Sequence, residues 1–409
     1  MDKGFAYILL GLAFLLQTAM HSQQKHPILK TLDSLIAADA FGHAQEIIQA
    51  EVSGKTKYSS LNMGRLVYPL AKSEFLQDNG THFPMAQELL KDVQSKNQAD
   101  SVQYEALLGL GLAHVDQGSV LKANVYMARA NALANTMQDA QRKVASEFYL
   151  GEIGLKLGDI DQLMARTDKA LRLMEAHPKT RFPLAPRILN YKASLMHFMS
   201  KPDSADYYFD KAIRSIDPMD KDAEQLYYLP GTIYGNWTMV KQSAGDYGTA
   251  MELTLKSISS FNTFLQHTHN HPLTEKVHGN LSIAYRNLGS LYNDFGDKDK
   301  AVQVASLGYK HAKRYFLPNT VQYFSAVLMM AEAHLYAENQ QKARTYLKEA
   351  EASLISIPGT NWSYAANLYF AWADLEKKEE NFSKAITNYQ KTLEAYTNSS
   401  ADEFSQNII

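Results

Sequence analysis

Several short strings in this 409-residue sequence carry residue types that could do chemistry. His267, His269 and His271 alternate, and His278 follows. Neutral imidazoles ligate zinc or nickel, and alternate residues of an extended segment share one side, but a further ligand is needed to close a site. The segment also falls in the longest interval between repeated positions of the chain. It is therefore expected to be an inserted, solvated loop over 261–280, and no metal is assigned to it. Gly54-Lys55-Thr56 has the ending of a phosphate loop, yet Gln49 stands where the loop's first Gly belongs and no buried strand precedes it. Asp294-Phe295-Gly296 spells a kinase triplet without the Gly-rich and catalytic loops that give it meaning. Asp297 and Asp299 follow it, but their order fails the calcium-loop pattern. Glu379 and Glu380 are adjacent carboxylates, and adjacent residues of a helix do not face one another. No HExxH string is present, and no motif selects a Ser/His/Asp set from 13 scattered His. The expectation is a chain that is not an enzyme and needs no cofactor.

Composition narrows the field further. With no Cys, disulfides, thiolate nucleophiles and Cys-ligated zinc are excluded. The 41 Lys+Arg against 43 Asp+Glu leave a formal charge of −2, which argues against a general nucleic-acid binder. Hydrophobic residues make up 45%, enough to build a large core. Only 21 Gly and 12 Pro in this length favour long helices over many short strands.

The elements that would position any site follow from periodicity. Apolar residues recur three and four apart, as in Leu150, Ile153 and Leu157, or Leu347, Ala350 and Leu354, which is helix spacing. A longer period overlies it. Small residues stand at Ala44, Ala86, Ala123, Ala205, Ala250, Ala301, Ala343 and Ala385, with Leu163 filling the gap, at intervals of 42, 37, 40, 42, 45, 51, 42 and 42. The clearest unit runs Tyr285-Arg-Asn-Leu288-Gly289-Ser-Leu-Tyr292-Asn-Asp-Phe-Gly296-Asp-Lys-Asp-Lys-Ala301. Leu110-Gly111 with Gly118, Leu150-Gly151 with Gly158-Asp159, and Trp237 with Gly245-Asp246 are fainter copies. One antiparallel helix pair cannot bury its own apolar face, so such units must stack.

This pattern resembles the tetratricopeptide (TPR) repeat, in an extended form found in exported bacterial proteins. An aromatic, Leu-Gly and Tyr on a first helix, a Gly-Asp turn and an Ala on the second helix all stand at family spacing around Gly289. The resemblance covers nearly all the chain after residue 22 and implies an all-α, right-handed α-solenoid of antiparallel helix pairs. It also implies a ligand surface on the inner, concave face of the first helices. Carried over by position, the candidates there include Phe148, Asn190, His197, Gln242, Arg286, Asn293 and Phe370. The mixture of amides, one Arg and aromatic anchors suits a peptide or protein segment. Ser290 stands where chaperone-binding members carry an Asn of their carboxylate clamp, so capture of a chaperone tail is not expected.

The chain opens with Lys3 and an apolar run from Phe5 to Leu16, then a polar stretch. That reads as a secretory signal peptide over 1–22, too short to span a bilayer comfortably. Divergent repeats are expected over 23–100, central repeats over 101–260, the insertion over 261–280, C-terminal repeats over 281–398 and a polar tail over 399–409. The functional expectation is an exported, periplasmic or extracellular scaffold that binds a protein or peptide partner without catalysis. No membrane span is expected in the mature chain. The alternative is the sensor half of a signalling system whose effector lies on another chain.

Overall fold

The structure is a computed structural model. It describes residues 27–53, 62–78, 83–96, 98–220, 222–268, 271–359 and 362–406. The stretch read as a signal peptide and the Gly54-Lys55-Thr56 string lie outside the described residues. The described residues form eighteen α-helices and no strand.

The helices come in consecutive pairs: α1 (Pro27–Ala37) with α2 (Phe41–Val52), α3 (Val67–Asp78) with α4 (Pro84–Ser95), and α5 (Asp100–Asp116) with α6 (Val120–Thr136). Next come α7 (Ala140–Lys156) with α8 (Ile160–Glu175), α9 (Ala185–Phe198) with α10 (Pro202–Arg214), and α11 (Leu229–Ser243) with α12 (Tyr247–His267). The last pairs are α13 (Thr274–Asp294) with α14 (Lys298–Tyr315), α15 (Val321–Tyr336) with α16 (Gln340–Ser356), and α17 (Trp362–Lys378) with α18 (Phe382–Gln406). A 3₁₀ turn (Met63–Leu66) leads into α3, and a π turn (Glu224–Tyr228) leads into α11. Two compact units divide the chain. One comprises residues up to Leu229 together with Thr268–Pro272, and the other comprises Pro230–His267 and the residues from Leu273 onwards.

The small-residue period marks the second helix of every pair. Ala44, Ala86, Ala123, Leu163, Ala205, Ala250, Ala301, Ala343 and Ala385 lie in the first turn or so of α2, α4, α6, α8, α10, α12, α14, α16 and α18, and all nine are buried. There the second helix meets the first at its closest, and a larger side chain would wedge the pair open. Gly308 makes the same point further along α14, because a Cβ there would sit 2.5 Å from Met329 Cε and 3.1 Å from Tyr285 Cβ. In the second unit the core runs through Phe324, Val327, Leu328 and Ala331 of α15, Leu347 and Ala350 of α16, and Leu368 and Leu375 of α17.

Among the described residues, the turn inside a pair is built the same way even where the letters differ. Gly118, Gly158, Gly245 and Gly296 take φ between 75° and 78°, each five positions before its repeat's Ala or Leu. Asp39 (φ 56°), Ser200 (φ 57°), Glu338 (φ 58°) and Glu380 (φ 62°) do the same at the equivalent places. The left-handed residue ends the first helix, and the next side chain often opens the second. Asp159 Oδ1 accepts from Gln162 N at 2.8 Å, Asp297 Oδ1 from Lys300 N at 3.1 Å, and Asn339 Oδ1 from Lys342 N at 3.1 Å. Gly-Asp is thus a helix stop followed by a helix start. Asp294-Phe295-Gly296 is part of this turn, as expected.

Non-Gly residues pay strain for φ > 0, so Ser200→Gly is expected to stabilise the first unit by about 1 kcal/mol. Ser200 is exposed and its backbone is already in place, so nothing else is lost. Calorimetry of the two proteins measures the effect, and a lower melting temperature in the variant would contradict this account of the turn.

The extra length of the longest repeat is spent on helix. α12 and α13 are 21 residues each, and His267 and His278 both lie within them. α12 ends at His267 and α13 begins at Thr274, so most of the expected loop over 261–280 is helix. His269 lies outside the described residues, and among the described residues no group of three or more His, Asp or Glu could hold a metal ion. At the C-terminus α18 continues to Gln406, through most of the stretch read as a polar tail. Among the described residues, no helix is long and apolar enough to cross a membrane.

Candidate functional site

The seven candidate residues fall into two sets. Phe148, Asn190 and His197 belong to the first unit, and Gln242, Arg286, Asn293 and Phe370 belong to the second. The units differ in how open these positions are.

In the first unit the inner positions are closed. Phe148 is 4% exposed, with its ring 5.4 Å from that of Tyr149 and 5.6 Å from that of Tyr191. Asn190 is 2% exposed, and Glu105, Leu108, Leu112, Glu152 and Ser194 are buried with it. The polar groups among them satisfy one another. Arg142 Nη2 donates to Glu105 Oε1 at 3.1 Å, Tyr191 Oη to Glu152 Oε1 at 3.0 Å, and Arg187 to Glu224. Nearby, Glu147 accepts from Arg166 at 2.9 Å, Lys169 at 2.6 Å and Asn131 at 2.9 Å. Charges taken out of water are stable only when matched in this way. His197 is partly exposed, and desolvation lowers its pKa. Phe148 and Asn190, placed on an open groove by sequence position, are core residues, because aromatic rings and ion pairs fill the space in front of them.

In the second unit the inner face is open. Ser290 is exposed, Gln242, Arg286, Asn293, Glu332, Asn367 and Asp374 are partly exposed, and Phe370 is 45% exposed. Ser290 and Asn293 stand four and seven positions after Arg286, on one face of α13. Phe370 and Asp374 stand four apart on α17. Three carboxylates converge on Tyr336 at the end of α15. Its phenol is held above its usual range first by desolvation, then by Glu332, Asp294 and Asp374. The Tyr336 ring is nevertheless 52% exposed. Asp374 Oδ1 accepts from Tyr389 Oη at 2.7 Å, and burial together with this bond pushes the Tyr389 phenol up to about 12. The rings of Tyr389 and Phe370 meet edge-to-face at 5.8 Å. Asp294 is raised by desolvation, against which the Gln242 side chain donates a hydrogen bond.

Glu332 is the odd member. Desolvation pushes its carboxyl up to about 7, with Arg286 pulling it down and Asp374 pushing it up. No hydrogen-bond donor reaches that carboxyl among the described residues, whereas Glu105, Glu147 and Glu152 all have one. Asn293 Oδ1 is likewise buried without a hydrogen-bond partner. Arg286 bears on Glu332 and on Tyr364, and it also has a partner of its own. Its surroundings are more acidic than a carboxylate-binding Arg would require.

Glu332 and Asp294 are not among the seven residues that the resemblance placed on this face. The Glu379 and Glu380 pair does not form a site. Glu379 and Glu376 bind Arg344, which lies 5.5 Å over the Trp372 ring, and Glu380 is the left-handed turn residue.

The charge on Glu332 gives a direct test. Its folded pKa of about 7 lies above the usual value of 4.5, so its cost to the fold is absent below pH 4.5, grows as pH rises, and is complete above 7. Glu332→Gln is expected to stabilise the second unit by about 2 kcal/mol at pH 8, after allowance for partial solvent access, and by almost nothing at pH 4. Melting temperatures across that range measure it, and a variant less stable at pH 8 would show that Glu332 is matched after all.

Neither a protein-family model nor a curated protein sequence matches the chain. Solved structures do. The apo form of RapI shares 12% identity over 91% of this chain and 98% of its own, with a TM-score of 0.60. Aspartyl phosphate phosphatase F from Bacillus subtilis shares 13% identity over 97% of this chain and 95% of its own, with a TM-score of 0.53. The apo form of the quorum sensor NprR from B. thuringiensis shares 13% over 90% and 96%, also with a TM-score of 0.53. At these identities the likeness concerns the fold. With the nine buried second-helix positions, it defines the chain as a TPR-like helical-repeat protein, an all-α solenoid of antiparallel helix pairs.

Proposed function

We propose that the chain is a non-catalytic binding module that captures a peptide or protein segment on the inner face of its second unit. The observation that carries this reading is the contrast between the units. The same repeat positions are closed in the first, where Arg, Lys and Tyr side chains meet the carboxylates, but open in the second, where the Glu332 carboxyl has no hydrogen-bond donor among the described residues. A peptide's N–H groups can reach the Glu332 carboxyl, which is partly exposed, and Phe370 offers an apolar ledge on the same face.

The alternative, a sensor module serving an effector on another chain, uses the same face and draws on the likeness of fold to the quorum sensor NprR. The export reading rests on Lys3 and the Phe5 to Leu16 run, and the proposed location is the periplasm or outside the cell. N-terminal sequencing of native material tests it, with a mature start expected near residue 23 and an intact Met1 against it.

Phe370→Ala tests the binding face itself. Phe370 is 45% exposed, so the variant is expected to keep the fold and to retain about five- to tenfold less of an immobilised peptide mixture than the wild type. Unchanged retention with a lowered melting temperature would make Phe370 a structural residue.

A further inference from the structure

The open face of the second unit carries one guanidinium, Arg286, and three carboxylates, Asp294, Glu332 and Asp374: Glu332 stands four before Tyr336 on α15, Asp374 four after Phe370 on α17, and α13 and α17 both pack against α15. Two of those carboxylates have a neutral donor: Gln242 for Asp294 and Tyr389 for Asp374. Glu332 has none, in a chain whose other inner carboxylates are matched by Arg, Lys or Tyr. Arg286 is already engaged, so the face as it stands is short of positive charge. Next to this deficit stand two rings that water reaches, Tyr336 at 52% and Phe370 at 45%. Carboxylates beside exposed aromatic faces are what a flexible cation seeks, because the ring faces attract it while the acids neutralise it.

We propose that this face holds a lysine or arginine side chain of the bound segment, its charge set against Glu332 and Asp374 and its stem lying along Tyr336 and Phe370. The assignment rests on the binding reading above and names the chemistry of its ligand. A small polyamine shares the cation but not the segment that the binding reading places on this face, and for that reason a peptide is chosen.

The test uses the full chain at pH 8 and an end-blocked heptapeptide library with all residues equally represented at each position. The retained fraction is read by mass spectrometry. Lys and Arg are expected to be enriched about fivefold over the input in the wild type. That enrichment is expected to vanish in Glu332→Gln/Asp374→Asn while peptides are still retained. Glu332→Gln alone is expected to weaken the enrichment while melting higher than the wild type at pH 8, so that weakening cannot be put down to unfolding. Retention without basic enrichment, or enrichment that survives in the double variant, overturns the inference and leaves the binding reading standing. No retention of any peptide by the wild type overturns both.

Discussion

Ala301→Trp is expected to collapse the cooperative melting of the second unit, with a loss of about 3 kcal/mol or more. Ala301 has no exposed surface and stands in the first turn of α14, where that helix meets α13. An indole there cannot leave by rotating, because the position faces the partner helix. It must push α14 away or force neighbouring side chains out of their rotamers, at a typical cost of 1–3 kcal/mol with larger values in close-packed contacts. α14 is also packed against α15, so the displacement spreads to the next pair. Thermal unfolding monitored by circular dichroism decides it. A variant that melts within a degree or two of the wild type would mean that the repeated small residue is not a packing requirement.

Acidification is expected to destabilise the same unit through His278. Its ring is 8% exposed, stacks on Tyr315 at 3.6 Å, and lies 5.1 Å from the ring of His311. Burial first, then His311 and Arg314, press its pKa down to about 4 from a usual 6.5. His311 is depressed as well, chiefly by desolvation. The neutral imidazole is therefore the form the fold accepts. The unfolded chain takes up its proton near pH 6.5, while the folded chain resists until about 4. The contribution is complete above pH 6.5 and drains away as pH falls towards 4, a loss of about 3 kcal/mol. Glu332 works in the opposite sense below pH 7, so a single pH curve would blur the two. The difference between wild type and His278→Phe separates them, since Phe keeps the stack on Tyr315 and cannot titrate. The advantage of the wild type over this variant should shrink steadily from pH 7 to 4. Parallel curves would show that His278 is already solvated in the fold.

Much of this architecture is written in the residues. The spacing from Ala44 to Ala385 locates every second helix, because a small side chain is required wherever two backbones close on each other. Glycine at the left-handed position locates four of the eight described turns. The other turns were silent, since Asp39, Ser200, Glu338 and Glu380 adopt the left-handed conformation without the residue that advertises it. The expected loop over 261–280 erred for a related reason. Extra residues lengthen a helix as readily as a loop, and the His-rich letters hid the helical continuation of α12 and α13. The candidate site was legible as a set of positions but not as a surface. Repeat position says that a side chain points inward. Whether it meets water depends on what the neighbouring repeats place before it, as Tyr149 and Tyr191 do for Phe148. The deficit at Glu332 was hidden similarly, because a missing donor is visible only when every neighbour is known.

The closed inner face of the first unit and the open one of the second have a consequence for inheritance. A lesion among Arg142, Glu147, Arg187 or Glu224 removes half of a buried pair, and in the cell such damage is felt as falling abundance, through chaperones and proteases. A change at Ser290 or Phe370, both exposed, leaves the quantity of protein nearly untouched and alters only its choice of company. The two halves of one gene would thus answer to different selective pressures, the first conservative in its pairings and the second free to be retuned.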